Sequence, residues 1–430
     1  MERKYIKEIL EKQKEEKVLI KGWVENTRDL GKIRFLLLRD ISDSIQVTCL
    51  KNNSLFDKMN ILRESSISII GNAKKSKQAP GGIEIIPEEL EIIAEATHPL
   101  PIDVSDFSKT ELSKRLNTRF LDTRRKETSA IFKIRSCIYH SVVDFFYENK
   151  FILITTPKLT TIGLESGAES FIVDYFGKKV SLAQSPQFYK QMFVMGGFER
   201  VAEIGPVFRA EKSHTTRHLT EFSGVDFEMG FINSEEDIMD LIENLIKHIL
   251  SKVKDECKSE LELLKIESKI PKKIPRICMQ ELKDILVKKG KKLRPDDDLD
   301  SEAEKMIGEY VLKEYGEEFV FVTNYPFSVR PFYHMKPQGD EKGTKSFDLL
   351  WNGVEVATGA QREHRLEILK TQANQKNIKL DPIYAEIFKY GAIPHGGVGF
   401  GLDRLTQRLL KLDNVREAIL LPRDPERVTP

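Results

Sequence analysis

The sequence has little cysteine and no long apolar run, and both absences exclude classes of protein. Its 430 residues contain 4 cysteines, all far apart, so neither a disulfide framework nor a zinc site of close-spaced thiols is indicated. The N-terminus carries charges of both signs instead of the apolar core of a secretory signal, and no later stretch is long enough to span a bilayer. We therefore expect a cytoplasmic chain without membrane contact.

Two common nucleotide-binding signatures are also missing. The sequence contains no Gly-x-x-x-x-Gly-Lys-[Ser/Thr] loop and no Gly-x-Gly-x-x-Gly fingerprint. Its formal net charge is +1, so any contact with nucleic acid must use local basic surfaces rather than the field of the whole chain. The length predicts two or three domains with ample room for a core.

The first part of the chain predicts a small β-barrel. Five runs of strand-forming residues are separated by turn signals, namely 17–24, 34–38, 44–50, 66–70 and 82–86, with a helical insert near 55–63. Five strands in about eighty residues fit a barrel of the OB type, although another small β-domain would give a similar pattern. We assign residues 1–97 to this domain and the basic, irregular segment 98–128 to a solvated hinge.

Residues 129–430 predict an α+β domain. Apolar residues recur at helical spacing over 131–147, and two further helical regions cover 235–255 and 364–390. Strand patterns come in runs at 151–157, 179–182, 201–208, 224–229, 319–323, 345–350 and 353–357. Because strands and helices are grouped instead of alternating, we expect a mostly antiparallel sheet flanked by helices. The Lys-, Glu- and Asp-rich segment 256–318 predicts little.

A glycine-rich segment near the end of the chain is the most informative feature that is present. Five glycines lie between Gly391 and Gly401, directly before an amphipathic helical pattern that carries Arg404 in its first turns. Glycine lets the backbone approach a bulky ligand closely, and an arginine near a helix N-terminus favours anionic groups. This segment predicts a floor for a nucleotide.

A second segment carries charges and an aromatic ring suited to the same ligand. Arg209 and Glu211 end one predicted strand, Arg217 and His218 lie in the following loop, and Phe222 begins the next strand. Arginine can hold a phosphate through two parallel hydrogen bonds, and an aromatic ring can stack on a base. An ordinary cross-strand ion pair explains Arg209 and Glu211 equally well, and the residues alone do not decide.

Two more segments offer polar side chains at useful spacing. Asp348 and Glu355 sit near strand ends, and Thr358 could add a hydroxyl. Carboxylates beside a nucleotide suggest Mg²⁺, whereas exposed carboxylates on an edge strand are the alternative. Gln187 and Lys190 lie one turn apart on a helix that begins at a proline, a pattern that by itself favours an ordinary helix start.

Taken in order, these segments resemble the class II aminoacyl-tRNA synthetases, specifically the aspartyl enzymes of the archaeal and eukaryotic type. Residues 207–222 are similar to the family's second signature and residues 399–404 to its third. Ile154-Thr-Thr-Pro157 is similar to the first, which builds the interface of a homodimer in the family. The resemblance covers nearly the whole chain and implies ATP, L-aspartate and tRNA(Asp) as substrates.

The resemblance also implies roles, position by position. Arg209 and Arg404 would be catalytic, Arg209 holding the α-phosphate with the aspartate carboxylate and Arg404 the γ-phosphate. The ATP site would be completed by Ala210, Glu211, Arg217, His218, Leu219, Phe222, Glu355, Gly401, Leu402 and Asp403. The aspartate site would comprise Glu165, Gln187, Phe188, Tyr189, Lys190, Arg209, Thr358 and Arg362. Glu355 and Thr358 would coordinate Mg²⁺, the one implied cofactor.

The choice between aspartate and asparagine rests on two cations. Lys190 and Arg362 are both expected to project toward the amino-acid pocket, where an unpaired buried cation would cost several kcal/mol. A carboxylate substrate would pair with them, whereas a neutral amide would not. An asparaginyl-tRNA ligase, an asparagine-making amide ligase and a non-catalytic RNA-binding paralogue remain the alternatives.

The N-terminal barrel is expected to bind the anticodon. The resemblance implies Phe35 as a base-stacking aromatic, Gln46 as the reader of the central base and Glu84 as the reader of the third, while Phe35 as a core residue is the alternative. In the family, the residue at the position of Pro80 tracks tRNA range, with lysine in strict enzymes and proline in relaxed ones. Pro80 therefore predicts that tRNA(Asn) is also charged, although Glu25, another anticodon-side position, is neither the tryptophan nor the histidine expected there.

Overall fold

A computed structural model of the chain describes residues 1–105, 110–161, 170–212, 215–294 and 296–430. The chain forms two compact units, Met1–Pro101 and Ile102–Pro430, each with its own hydrophobic core. Within the described ranges, none of the helices has both the length and the apolar character needed to cross a membrane.

The first unit is a barrel of the predicted OB type. It contains helix α1 (Ile6–Lys12) and strands β1 (Lys17–Asp29), β2 (Ile33–Arg39), β3 (Ser44–Leu50), β4 (Ser66–Lys75) and β5 (Ile83–Ala94). The sheet closes in the order β1-β2-β3-β5-β4, and only the β3–β5 pair is parallel. Side chains alternate along each strand, so Leu36, Leu38 and Val47 fill the interior while their neighbours face outward.

The prediction of a helical insert near residues 55–63 is wrong. A single 3-10 turn, Asp57–Met59, is the only helical structure described there. Leu55, Phe56, Met59 and Ile61 are all buried in the barrel core. Their helix-like spacing therefore comes from an irregular segment that folds apolar side chains inward.

The second unit is built on one large sheet. Its helices are α2 (Leu112–Asn117), α3 (Arg119–Asp122), α4 (Lys126–Glu148), α5 (Gln187–Phe193), α6 (Glu235–Glu256), α7 (Lys258–Leu264), α8 (Met279–Lys288), α9 (Ser301–Tyr315), α10 (Leu366–Gln375), α11 (Pro382–Glu386) and α12 (Leu402–Leu409). Its strands are β6 (Ile152–Leu153), β7 (Leu159–Thr160), β8 (Ile172–Tyr175), β9 (Lys178–Leu182), β10 (Arg200–Phe208), β11 (Glu221–Gly230), β12 (Arg276–Cys278), β13 (Phe319–Thr323), β14 (Ser346–Trp351), β15 (Glu355–Arg362) and β16 (His395–Gly401).

The sheet order confirms the predicted α+β class. Eight strands are arranged as β12-β13-β14-β15-β16-β11-β10-β6, with antiparallel pairing throughout the centre and one parallel pair at each end. One face of the central strands carries Val225, Phe227, Val398 and Phe400, which pack with α4 and α6 in the main core. The opposite face is polar, and the candidate site lies on it.

The segment expected to be a solvated hinge is structured from residue 110 onward. Helices α2 and α3 lie within it, and Arg119 is buried with its guanidinium paired to Asp122. Arg119 also donates to the carbonyl oxygens of Glu417 and Ile419 at 2.8 and 3.2 Å. These bonds tie the basic segment to the C-terminal end of the same unit, which its composition did not indicate.

Candidate active site

The polar face of the sheet arises from strict alternation along β11. Val225, Phe227 and Met229 enter the core, so Asp226 and Glu228 point to the other face, and both carboxylates are buried. Asp226 lies opposite Gly399 of β16, and Glu228 lies opposite Gly397. The two acidic side chains therefore stand over glycines of the segment predicted to form a nucleotide floor.

These glycines leave room for the acidic side chains. A Cβ at Gly397 would overlap the Glu228 carboxylate and the Phe227 carbonyl oxygen. A Cβ at Gly399 would lie 3.2 Å from Asp226 Oδ1. Gly397 and Gly399 thus leave their backbone open on the polar face, and the two carboxylates occupy part of that space.

A β-bulge places Glu355 and Thr358 on this face together. Where β14 pairs with β15, Asp348 lies opposite Thr358. The register then shifts by one residue, so that Leu350 lies opposite Glu355. Val356 and Ala357 both enter the main core as a result. Residues three apart in a regular strand point to opposite faces, so the bulge is what brings both oxygen donors to one side.

Lys190 is buried among carboxylates at the centre of the site. Its Nζ donates to Asp226 Oδ1 at 2.9 Å and to the Val398 carbonyl oxygen at 2.9 Å. It also lies 3.5 Å from Glu228 Oε2. Helix α5, which begins after Pro186 as expected, presents this lysine to the sheet.

Arg362 ends β15 beside the same carboxylate. Its Nε donates to Glu228 Oε1 at 3.0 Å, its Nη1 to His334 Nε2 at 3.0 Å and its Nη2 to Gln187 Oε1 at 3.1 Å. Burial alone would raise the pKa of Glu228, but Arg362 and Lys190 outweigh burial and hold that pKa below its usual range. Both cations are paired, because Asp226 and Glu228 neutralise them. The sequence had predicted that they would be unpaired without a substrate.

Two hydrogen-bond donors next to Arg362 have no partner among the residues that the structure describes. Because His334 Nε2 accepts from Arg362, its Nδ1 carries the proton, and this atom is buried without a hydrogen bond. Because Gln187 Oε1 also accepts from Arg362, its Nε2 is the donor, and it too is buried without a hydrogen bond. Buried polar groups normally have partners, so these two donors mark a place for an acceptor.

His395 lies behind this network and gives the fold a pH dependence. Its Nε2 accepts from Gln191 Nε2 at 2.8 Å, and its Nδ1 donates to the Ile393 carbonyl oxygen at 2.9 Å. Burial lowers the pKa of His395 to about 4, so the folded chain holds the ring neutral. Its contribution to stability is complete above the unfolded pKa of about 6.5 and is lost as the pH falls toward 4.

Because of this histidine, we expect the free energy of unfolding to fall by about 2 kcal/mol from pH 7 to pH 5. In His395→Gln that part of the pH dependence should disappear, whereas the exposed His140→Gln should keep it. Urea titrations at both pH values measure the difference. An unchanged pH dependence in His395→Gln would contradict a neutral buried ring.

Arg209 lies at the open end of the site. It follows β10, its side chain is 45% exposed, and it lies 3.8 Å from Glu211 Oε1. Its guanidinium carbon lies 5.5 Å from the centre of the Phe222 ring, which is only partly buried. The weak ion pair offered as an alternative therefore exists, but it leaves Arg209 accessible beside an aromatic ring.

Arg404 lies on α12 across the glycine floor. Its Nη1 donates to the Glu355 carbonyl oxygen at 3.2 Å and lies 3.6 Å from Glu355 Oε1. The neighbouring Asp403 is committed elsewhere, since it accepts from Arg135 Nη2 at 2.7 Å and from the Ser223 amide at 2.8 Å. Burial raises the pKa of Asp403, and the pairing with Arg135 opposes this shift.

The loop between β10 and β11 carries Arg217 and His218. Arg217 Nη1 donates to Glu304 Oε2 at 3.0 Å, a contact across 87 residues. Burial lowers the pKa of His218, and Arg404, Arg217 and Arg209 act in the same direction. Arg217, Arg209 and Arg404 therefore gather positive charge around this imidazole.

The remaining predicted site residues differ in burial and in what they contact. Leu402 is fully buried in the main core, Leu219 is buried, Ala210 is half-buried, and Gly401 pairs with Gly224 at the end of β16. Phe188 packs in an aromatic cluster with Phe332, Tyr333 and Tyr384. The Tyr189 hydroxyl lies 2.9 Å from the Thr160 hydroxyl. Glu165 lies outside the described residues.

In the barrel, the three predicted anticodon residues share one outward face. Gln46 lies opposite Glu84, its Nε2 donates to Glu84 Oε2 at 2.9 Å, and Phe35 lies opposite Thr48 on the next strand. All three are half-buried, while Leu36 and Val47 between them fill the core. Pro80 is exposed and begins a turn, Pro80–Gly82, that precedes β5.

The sequence indicated some residues of the site and missed others. Asp226 and Glu228 could have been found, because each stands between core residues in the pattern Val-Asp-Phe-Glu-Met. His334 and Glu304 gave no signal, since each reaches the site from a segment distant in the chain. Glu304 comes from the region 256–318, which predicted little.

Comparison with known proteins identifies relatives of both units. A family described as tRNA synthetases class II (D, K and N) matches residues 111–425, and one described as an OB-fold nucleic acid binding domain matches residues 18–93. The chain is 43% identical to an aspartate–tRNA(Asp) ligase of Pyrococcus abyssi, over 99% of both chains. It is 42% identical to an aspartate–tRNA(Asp/Asn) ligase of Aeropyrum pernix, over 96% of both.

Solved structures agree with this likeness. The asparaginyl-tRNA synthetase of Pyrococcus horikoshii, complexed with asparaginyl-adenylate, matches with a TM-score of 0.93 at 30% identity over 100% of both chains. The aspartyl tRNA synthetase of Entamoeba histolytica matches with a TM-score of 0.89 at 31% identity, over 100% of this chain and 93% of that one.

Proposed function

This chain belongs to the class II tRNA synthetases of the aspartate, lysine and asparagine group, and from that membership we propose that it attaches L-aspartate to tRNA. The reaction has two steps. The α-carboxylate of aspartate attacks the α-phosphorus of ATP, so that aspartyl-adenylate forms and pyrophosphate leaves. A ribose hydroxyl at the 3′ end of tRNA then takes the aspartyl group, and AMP leaves.

The main support for aspartate as the substrate is a pair of hydrogen-bond donors without partners among the described residues. His334 Nδ1 and Gln187 Nε2 are buried beside Arg362, and both can only donate. A side-chain carboxylate presents acceptors alone and would satisfy them, whereas an amide nitrogen would face a donor with a donor. This replaces the expectation of an unpaired cation, since Lys190 and Arg362 are already neutralised by Asp226 and Glu228.

The catalytic roles fall to groups that position charge. Arg209 holds the α-phosphate with the attacking carboxylate, Phe222 stacks on the adenine, and Arg404 holds the leaving pyrophosphate. No protein nucleophile is needed, because the two substrates react directly with each other. Preorganised donors of this kind each lower the barrier by about 3–4 kcal/mol.

The donor set on β15 suits Mg²⁺. The Glu355 carboxylate is 38% exposed and shares a face with the Thr358 hydroxyl, and hard oxygen ligands of this kind, one or two of them carboxylates, are what the ion takes from a protein. Bound there, Mg²⁺ would neutralise charge on the phosphate oxygens. Asp348, directly opposite Thr358, is less suited, because it is held by Arg330 at 2.6 Å and burial raises its pKa.

The partners follow from the two units. The outward face of the barrel, with Phe35, Gln46 and Glu84, binds the anticodon by stacking and base-edge hydrogen bonds. The second unit forms a homodimer through the region of α4 and β6, where Tyr147, Ile152 and Leu153 are 82%, 44% and 46% exposed. Exposed apolar groups of this kind suit a protein interface. As a translation enzyme, the chain acts in the cytoplasm.

The tRNA range includes tRNA(Asn). The exposed Pro80 stands where strict relatives of this type are expected to carry lysine. The turn therefore lacks the lysine that would exclude the tRNA(Asn) anticodon. Charging of purified tRNA(Asp) and tRNA(Asn) with labelled aspartate tests both points. We expect product on both. Product on tRNA(Asp) alone would contradict the wider range, and product on neither would contradict the function.

A further inference from the structure

Helix α9 brings a carboxylate from an otherwise unassigned segment to the ATP side of the site. Ala303, Ile307 and Val311 anchor this helix against Val320 and Leu350 of the sheet. Gly308 lets it approach the turn between β14 and β15, where any Cβ would overlap the backbone of Gly353. The close packing fixes Glu304 at the start of β15, which carries Glu355.

Arg217 is held by this helix at two points. Its Nη1 donates to Glu304 Oε2 at 3.0 Å, and its Nη2 donates to Ser301 Oγ. The side chains of Glu304 and Arg217 are 13% and 25% exposed, so the ion pair is largely shielded from water. A guanidinium has five donors in a fixed plane, so these two bonds orient the group and leave other N–H groups for a ligand.

The charges around Glu304 favour keeping this contact. Glu304 faces Arg217 of the loop, Glu355 of β15 and Arg404 of α12. Burial raises the pKa of Glu304 to about 7, Arg217 and Arg404 oppose the shift, and Glu355 adds to it. The Arg217 guanidinium thus favours the charged form of Glu304, and the charged carboxylate in turn holds the guanidinium in place.

We propose that Glu304, with Ser301, is a positioning residue that holds the Arg217 guanidinium in the ATP site so that its remaining N–H groups meet the triphosphate. The proposal rests on the function proposed above. It assigns a role in ATP binding to the region 256–318. Glu304 does not touch the reacting atoms and acts only through Arg217.

Steady-state ATP–pyrophosphate exchange by the full-length chain tests this role. In Glu304→Gln we expect the KM for ATP to rise about tenfold, because a charged hydrogen bond that orients Arg217 is lost. The KM for aspartate and kcat should change by less than about twofold. Ser301→Ala should raise the KM for ATP about threefold, since the acceptor it removes is a neutral hydroxyl and not a carboxylate. Glu309→Gln, on the exposed side of the same helix, is the matched control and should match the parent.

A double-mutant cycle separates positioning from a purely structural role. If Glu304 acts through Arg217, the double variant Glu304→Gln/Arg217→Ala should have the same KM for ATP as Arg217→Ala alone. An unchanged KM for ATP in both Glu304→Gln and Ser301→Ala would overturn the proposal, as would additive effects in the cycle. If the parent chain shows no exchange with aspartate, the proposed function fails instead.

Discussion

Arg209→Ala should reduce kcat for aspartate-dependent ATP–pyrophosphate exchange by about 10²–10³-fold. The reason is its placement. Lys190 and Arg362 are buried and paired with carboxylates, whereas Arg209 is 45% exposed and lies 3.8 Å from Glu211. Its charge is thus available to stabilise the negative charge that develops at the α-phosphorus.

Two variants give this prediction its controls. Arg209→Lys keeps the charge but not the planar pair of donors, so its kcat should fall between the parent and Arg209→Ala. Arg294→Ala removes an arginine whose side chain is 88% exposed, outside the site, and should leave kcat unchanged. An Arg209→Ala enzyme with kcat within twofold of the parent would show that another cation holds the α-phosphate.

Glu228→Gln should destabilise the second unit by about 3–5 kcal/mol, because it leaves buried cations without their shared counter-charge. Glu228 Oε1 lies 3.0 Å from Arg362 Nε, and Glu228 Oε2 lies 3.5 Å from Lys190 Nζ. Lys190, Arg362, Asp226 and Glu228 together carry no net charge. The substitution therefore leaves an excess positive charge in the site. Aspartate binding should also weaken, since the orientation of Arg362 depends on this carboxylate.

The measurement is a urea titration of Glu228→Gln beside a matched control. Glu221→Gln lies at the exposed end of the same strand, removes the same charge and should stay within about 0.5 kcal/mol of the parent. Equal stability of the two variants would contradict the view that Glu228 neutralises Lys190 and Arg362. A stable Glu228→Gln that has lost only aspartate binding would restrict its role to the substrate.

Periodicity explains why much of this site could be predicted from the sequence. The alternation of β11 and the glycines of β16 fix which side chains share a face, and the class of the sheet follows from how strands and helices are grouped. The placement of Glu355 was not predictable in this way, because it depends on a bulge at Val356 and Ala357 that moves one carboxylate to the other face.

Pairing between distant segments could not be predicted from local pattern. Lys190 and Arg362 looked like cations awaiting a carboxylate, yet their partners lie 36 and 134 residues away on β11. The contact of Arg217 with Glu304 spans 87 residues. The insert at residues 55–63 failed for a related reason, since apolar spacing reports burial and does not by itself distinguish a helix from an irregular loop.

Specificity for aspartate depends most on an amino-acid site that presents donors to a side-chain carboxylate. ATP–pyrophosphate exchange by the purified chain, driven by L-aspartate or by L-asparagine at equal concentration, tests this directly. We expect kcat/KM for aspartate to exceed that for asparagine by about a hundredfold or more, because the amide oxygen can accept from one of His334 Nδ1 and Gln187 Nε2 while its NH2 faces the other donor. Faster exchange with asparagine than with aspartate would contradict the account.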